Sequence, residues 1–274
     1  MRPNAPTTER VPAMSAVHNQ ARAALQAGRL SLGFTVRMVR SVEIAPATAA
    51  AGYDWLFLDC EHGTLSLDAA AQIAVAGLAA GIAPIVRVPN GEYAMATRML
   101  DAGALGIVMP HVDTAEEARE VVEKLKYPPL GHRSMGGIGP HYGLRGASVG
   151  DAAVALNAAC LTVVMLETPR AIENAAAIAA VPGIDVLLIG SNDLCAEMGI
   201  PGQFTHPRLE DAYRSTVAAC RAHGKFPGMG GIYAEPIMAA YIGLGARFIL
   251  AGQDSAFMLA GATARAGALR AMPV

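Results

Sequence analysis

Two acids and a histidine stand together in Leu58-Asp59-Cys60-Glu61-His62-Gly63, at the end of the apolar run 55–58. Only 16% of the chain is charged, so this density singles the stretch out. Histidine exchanges a proton near neutrality, with an ordinary pKa of about 6.5. Asp59, three residues before His62, is placed to orient the ring or hold it charged. Glu61 adds a second acid beside them.

Other chemistry-bearing side chains also follow apolar runs. Arg87 follows Ile85-Val86, His111 ends 105–111, Glu167 follows 161–166, and Asn192 and Asp193 follow 184–191. Gln253 and Asp254 follow the run 246–252. Glu167 and Asp193 would come to the ends of consecutive strands. Two carboxylates that converge repel unless a proton or cation lies between them. A hard divalent ion such as Mg²⁺ or Mn²⁺ suits such a pair, with water and substrate oxygens completing its shell. The alternative is that each acid caps the helix that follows. Both readings stand for Asp193; glutamate is a poor N-cap, so Glu167 is read as a ligand. Arg87 on an apolar strand cannot be left unpaired. It either pairs with a nearby acid or grips an anionic ligand through its planar fork.

These residues need a scaffold that gathers strand ends. Strands are expected at 30–38, 54–60, 83–89, 105–111, 161–168, 184–191, 226–232 and 246–253, with Ala-rich helical segments between them. Several runs are apolar throughout, as strands covered on both faces must be. Thr114 with Glu117 forms a capping-box pattern, and Gly81, Gly103, Gly224 and Gly245 stand where helices should stop. Eight strands in strict alternation with helices predict an α/β fold, a single (β/α)₈ TIM barrel domain over 1–274. An N-terminal extension is expected over about 1–20 and a terminal helix over about 255–270. In such a barrel, active-site residues gather at the C-terminal ends of the strands, where the residues above all fall. The segment 127–150, rich in glycine with three prolines, breaks the rhythm. It reads as a long functional loop, with His132, Arg133, His141, Tyr142 and Arg145 as substrate contacts.

Composition narrows the function classes. The formal net charge of -2 argues against a nucleic-acid surface. The run 70–86 reads as a buried helix, a glycine stop and a strand rather than a membrane span. The N-terminal twenty residues lack the apolar core of a secretory signal. Four cysteines without a C-x-x-C pair indicate free thiols in a reducing compartment, so a cytoplasmic location is expected. Cys60 reads as a small buried apolar residue. There is no phosphate-binding G-x-x-x-x-G-K-[ST] and no G-x-S-x-G nucleophile elbow. The three lysines, Lys124, Lys126 and Lys225, stand at no strand end, which leaves a Schiff-base mechanism without a nucleophile.

The ordered set LDCEHG (58–63), PIVRVP (84–89), MLETP (165–169) and IGSNDL (189–194) resembles the HpcH/HpaI aldolase family. YPPLGHRSMGG (127–137) and LGARFILAGQD (244–254) extend the resemblance, which covers roughly 25–265. It implies a metal-dependent class II aldolase on a (β/α)₈ barrel. Such an enzyme cleaves a 4-hydroxy-2-oxo acid to pyruvate and an aldehyde through a pyruvate enolate. Glu167 and Asp193 would hold Mg²⁺, Mn²⁺ or Co²⁺. Arg87 would bind the oxo oxygen, and His62, with Asp59 behind it, would move the proton. Glu61 would support this group. Gly190, Ser191 and Asn192 would hold the pyruvate carboxylate. Met165 replaces a glutamine common in relatives, and Gly190-Ser191-Asn192-Asp193 replaces G-P-A-D; the change suggests a less polar aldehyde. A homo-oligomer, hexamer or trimer, is implied. The competing readings are a citrate- or malate-like coenzyme A thioester lyase and a non-catalytic pyruvate-binding protein.

Overall fold

The structure, a computed structural model, describes residues 17–137, 139–145 and 147–273. Eight parallel strands close into one barrel in chain order. They are β1 (Ser31–Val36), β2 (Trp55–Asp59), β3 (Ala83–Arg87), β4 (Gly106–Met109), β5 (Leu161–Leu166), β6 (Val186–Gly190), β7 (Phe226–Gly230) and β8 (Phe248–Gln253). Helix α1 (Gln20–Gln26) precedes the barrel. Helices α2 (Ile44–Ala50), α3 (Leu67–Ala80), α4 (Tyr93–Asp101) and α5 (Ala115–Leu125) follow the first four strands, and α6 (Val149–Ala159) leads into β5. Then come α7 (Pro169–Glu173), α8 (Ala175–Ala179), α9 (Ser191–Glu197), α10 (Pro207–His223), α11 (Glu235–Leu244) and α12 (Asp254–Arg270). The (β/α)₈ barrel read from the sequence is the fold.

Local signals explain the element ends. Thr114 accepts from the Glu117 N–H while Glu117 accepts from the Thr114 N–H, closing the capping box that opens α5. Helix α3 stops at Gly81, whose φ of 73° is left-handed, and β3 begins two residues later. The apolar run 70–86 is thus a helix, a turn and a strand. Among the described residues no helix is long and apolar enough to cross a membrane.

Strand alternation sorts the barrel interior into layers. On β2, Trp55, Phe57 and Asp59 share one face. Trp55 lies deepest and stacks on Phe248 of β8, ring centroids 4.0 Å apart. Gly33 makes room for that indole: a Cβ there would lie 2.3 Å from the ring. Phe57 comes next, and Asp59 reaches the mouth. Phe57 and Trp55 are almost fully buried, so burying their apolar surface is a large stabilising contribution.

The opposite end of the barrel is closed by the segment that the sequence suggested as a substrate loop. That expectation is corrected by position. Helix α5 has already carried the chain back to the strand N-termini before 127–150 begins. There Arg133 pairs with Asp101, the last residue of α4, and His141 Nε2 lies 3.0 Å from the carbonyl of Ala104, just before β4. The His132 N–H donates to the Glu123 carbonyl of α5. His132, Arg133, His141, Tyr142 and Arg145 therefore do not line the mouth within this chain. Asn19, ahead of α1, also closes this end, donating to the carbonyls of Leu105 and Ala159 at 2.9 and 2.8 Å. The expected N-terminal extension lies outside the described residues as far as residue 16.

Candidate functional site

A cavity of about 120 Å³ opens at the C-terminal mouth of the barrel. That is the room of about four water molecules, suited to a small acid. Asp59, His62, Arg87, Met165 and 190–193 all line it. Strands β2, β3, β5 and β6 deliver these residues, with Asn192 and Asp193 in the first turn of α9.

Asp59 and Arg87 are Cα partners in the β2–β3 register. Arg87 Nε donates to Asp59 Oδ1 at 3.0 Å and Nη2 donates to Oδ2 at 2.8 Å. Arg87 Nη1 stands 3.1 Å from Glu61 Oε2, an ionic contact without hydrogen-bond alignment. The guanidinium carbon lies 5.2 Å from the Phe57 ring centroid, and Met165 Sδ accepts weakly from Nη1 at 3.9 Å. Four side chains thus fix one arginine. Burial pushes the Asp59 carboxyl up, but the hydrogen bond and charge of Arg87 outweigh it, helped by the His62 N–H and Arg37, and the net shift is down. For Arg87, burial acts against the charge, while Asp59, Glu61 and Glu167 more than restore it. The guanidinium stays charged.

The structure places Asp59 differently from the Asp–His pairing read in the sequence. Asp59 Oδ1 accepts from the backbone N–H groups of Glu61 and His62, at 3.2 and 3.1 Å, and both oxygens face Arg87. The His62 ring instead lies near Glu61, Nε2 to Oε2 3.7 Å, and its side chain is 54% exposed. Asp59 therefore shapes the turn that carries His62, while Glu61 is the acid beside the ring. Gly63 completes that turn. Any Cβ there would fall 2.3 Å from the Asp59 carbonyl oxygen, so only glycine closes it.

Glu167 is 1% exposed. Its Oε2 accepts the His111 N–H at 2.9 Å, and His111 Nδ1 stands 3.4 Å away. Burial pushes the Glu167 carboxyl up to about 7; His111 and Arg87 work against this, and the negative charge of Asp193 adds to it. Gly190 presses against the carboxylate so closely that a Cβ would lie 2.5 Å from Oε1. A carboxylate raised chiefly by burial, with the charge of a second one adding to it, is the unbalanced charge that a divalent cation relieves, so the donor set fits such an ion. Among the described residues no group of three or more His, Cys, Asp or Glu side chains is arranged as a metal cage. A two-acid site with open positions differs from such a cage. His111 itself has φ 52°, left-handed for a non-glycine residue. Such backbone is costly and persists where the surroundings over-determine it. The N–H on Glu167 is what that conformation delivers.

Ser191 is fully buried, and its Oγ lies 2.8 Å from the Tyr213 phenol of α10. Cys60 is half-buried, and burial, then Asp59, pushes its thiol up to about 11. It is no thiolate nucleophile near neutrality. Asp254, a rim acid in the sequence reading, has a different task. Its Oδ2 accepts three successive N–H groups, from Arg37, Met38 and Val39, at 3.1, 2.8 and 2.8 Å. It ties the loop after β1 to the start of α12.

Sequence reasoning missed Thr35, Arg37 and Tyr233, which also line the cavity. Arg37 Nε lies 3.2 Å from Asp59 Oδ2, and Nη2 donates to the His62 carbonyl at 2.8 Å. The signal was present: Thr35 and Arg37 alternate at the end of the expected first strand. Reading it required knowing which parity of β1 faces inward.

The profile of the HpcH/HpaI aldolase/citrate lyase family matches residues 39–258 of this chain. The 4-hydroxy-4-methyl-2-oxoglutarate aldolase cghB of Chaetomium globosum is 45% identical over 233 residues, 84% of this chain and 87% of that protein. A 4-hydroxy-2-oxovalerate aldolase of Rhodococcus jostii is 36% identical over 86% of this chain and 90% of its own. Among solved structures, the HpcH/HpaI aldolase of Desulfitobacterium hafniense superposes with a TM-score of 0.86 at 28% identity. That match covers 95% of this chain and 98% of the other.

Proposed function

This chain belongs to the HpcH/HpaI aldolase/citrate lyase family, and from that premise we propose that it is a class II aldolase. It cleaves a 4-hydroxy-2-oxo acid into pyruvate and a second carbonyl compound, reversibly. The observation that carries this reading is a small cavity lined by Arg87, His62 and Asp193, with the buried Glu167 carboxylate pressed against its lining residue Gly190. The relatives named above act on 4-hydroxy-2-oxo acids by name, which supports the substrate class.

Glu167 and Asp193 would hold a divalent cation, Mg²⁺, Mn²⁺ or Co²⁺, which supplies Lewis acidity where negative charge develops on the oxo oxygen. Arg87, immobilised by Asp59 and Glu61, adds a fixed positive charge at the same oxygen and needs no reorganisation as the charge grows. The N–H groups of 190–192 open α9 and receive the pyruvate carboxylate, with Ser191 held in place by Tyr213. His62 takes the proton of the 4-hydroxyl, directly or through one water. The C3–C4 bond then breaks, its electron pair moves toward C2, and C4 becomes the carbonyl of the leaving product. His62 returns the proton to C3, and pyruvate leaves. Glu61, beside the His62 ring, stabilises the imidazolium formed between these steps.

No lysine takes part. Lys126 is buried at the opposite end of the barrel, donating to the Cys160 carbonyl at 2.6 Å, and Lys225 donates to the Ile184 carbonyl at 2.8 Å. We place the enzyme in the cytoplasm as a homo-oligomer, trimer or hexamer. Four free cysteines support the first, and the exposed Phe257, Met258, Leu259 and Leu269 of α12 support the second.

The test is exchange of the pyruvate methyl protons in D₂O, followed by NMR. The expected result is exchange that a chelator stops and a divalent metal restores, and that His62→Ala and Arg87→Ala abolish. Pyruvate that keeps its protons with metal present contradicts the assignment.

A further inference from the structure

The donor half of the substrate occupies the wall made by β3, β5 and β6, where Arg87, Glu167, Ser191 and Asp193 stand. The atoms beyond C4 must then lie toward the remaining wall, built by β7, β8 and β1. That wall carries Thr35, Arg37, Tyr233 and Gln253, with Leu250 as its apolar contribution. Thr35 is 4% exposed, and its hydroxyl has the Tyr233 phenol as a polar neighbour. Thr35 belongs to β1 and Arg37 is the first residue of the loop after it, and both line the cavity. Nε and Nη2 of Arg37 face Asp59 and the His62 carbonyl. Nη1 makes no hydrogen bond among the described residues.

An alkyl or methyl substituent packed here would bury the outer edge of the Arg37 guanidinium, Nη1 included, without a partner. Leaving such groups unsatisfied is costly. A carboxylate satisfies that edge, accepting from the Arg37 guanidinium with the Thr35 hydroxyl beside it as a second donor.

We propose that Arg37 and Thr35 form an acceptor subsite for a carboxylate, so that the second carbonyl product is itself an oxo acid. This rests on the aldolase reading above and narrows it. The sequence suggested a less polar acceptor because Met165 replaces a glutamine. Met165 Sδ, however, lies against Arg87 Nη1, on the donor side, and so does not set the polarity of this wall. The position of Arg37 also has a structural consequence, since it braces Asp59 and the turn that carries His62. The experiment must separate the two.

Two substrates differ only at the terminal carbon: 4-hydroxy-2-oxoglutarate carries a carboxylate where 4-hydroxy-2-oxovalerate carries a methyl. The unaltered chain is expected to favour the carboxylated substrate in kcat/KM. Arg37→Ala should lower that preference by about 10–100-fold, the loss expected for one charge-assisted contact, chiefly through KM. Arg37→Lys should recover part of it, and Thr35→Val should lower it by less. Equal losses on both substrates would show that Arg37 acts only by bracing Asp59, and would overturn the subsite. A preference for the methyl substrate in the unaltered chain would overturn it too. If the unaltered chain fails to exchange the pyruvate methyl protons, the aldolase reading falls and the subsite with it. If it exchanges them and the substrate ratio is insensitive to Arg37, only the subsite falls.

Discussion

Asp59 and Arg87 sit directly across from each other on adjacent parallel strands, and two hydrogen bonds of 3.0 and 2.8 Å join their side chains. The pair is almost wholly buried, and it aims the remaining guanidinium edge at the cavity. Removing one partner leaves an unpaired buried charge, which typically costs about 3–5 kcal/mol. Asp59→Ala is therefore expected to lower unfolding stability by about that amount in urea titration. Asp59→Leu combined with Arg87→Leu should cost less than the sum of the single changes, because both charges leave together.

Glu167 makes stability depend on pH in an identifiable direction. Its folded-state carboxyl, raised to about 7 from an ordinary value of 4.5, binds more protons than the unfolded chain between those values. Stability of the metal-free protein should therefore fall as pH rises from about 4.5 to 7. A bound divalent ion should cancel the fall, since it balances the charged form. Melting temperatures of chelator-treated and Mn²⁺-loaded protein at pH 5 and pH 7.5 check this. Asp59 contributes with the opposite sign: its lowered pKa gives stability present above the ordinary carboxylate range and lost as pH falls through the lowered value.

His62 stands beside Glu61, Nε2 to Oε2 3.7 Å, and its role in this account is proton transfer rather than metal ligation. His62→Ala should lower kcat by about 10²–10⁴, the usual contribution of a positioned proton carrier. Metal affinity, measured by titration calorimetry, should change little. A large loss of metal binding would place His62 among the ligands instead.

Asp254 collects three consecutive backbone N–H groups on one oxygen. Asp254→Asn removes the charge and brings an amide N–H₂ toward those donors. A loss of about 1–3 kcal/mol in stability is expected. The loop after β1 carries Arg37, so KM for a carboxylated substrate should rise as well.

Much of this was legible in the residues. Strict strand–helix alternation gave the barrel, and the apolar runs ending in Asp59, Arg87, Glu167 and Asp193 pointed to one rim. What stayed hidden depended on direction and depth. The segment 127–150 looks like an active-site loop in composition, but its place after α5 puts it at the wrong end. Asp59 and His62 are close enough in sequence to pair, yet the register with β3 gives Asp59 to Arg87. Arg37 escaped notice because it stands just past the end of β1, where its backbone is held by Asp254 and its side chain by Asp59, both distant in sequence. The left-handed conformation of His111, which delivers its N–H to Glu167, has no local sequence mark such as glycine.

The most direct measurement is pyruvate release from 4-hydroxy-2-oxo acids by the full chain, with EDTA, with Mg²⁺, Mn²⁺ or Co²⁺ restored, and with Glu167→Gln in parallel. The account expects turnover that EDTA abolishes and metal restores, and a Glu167→Gln variant that metal cannot rescue. Turnover that persists in EDTA and is instead lost when borohydride is added with pyruvate would contradict it, because that outcome requires a lysine Schiff base.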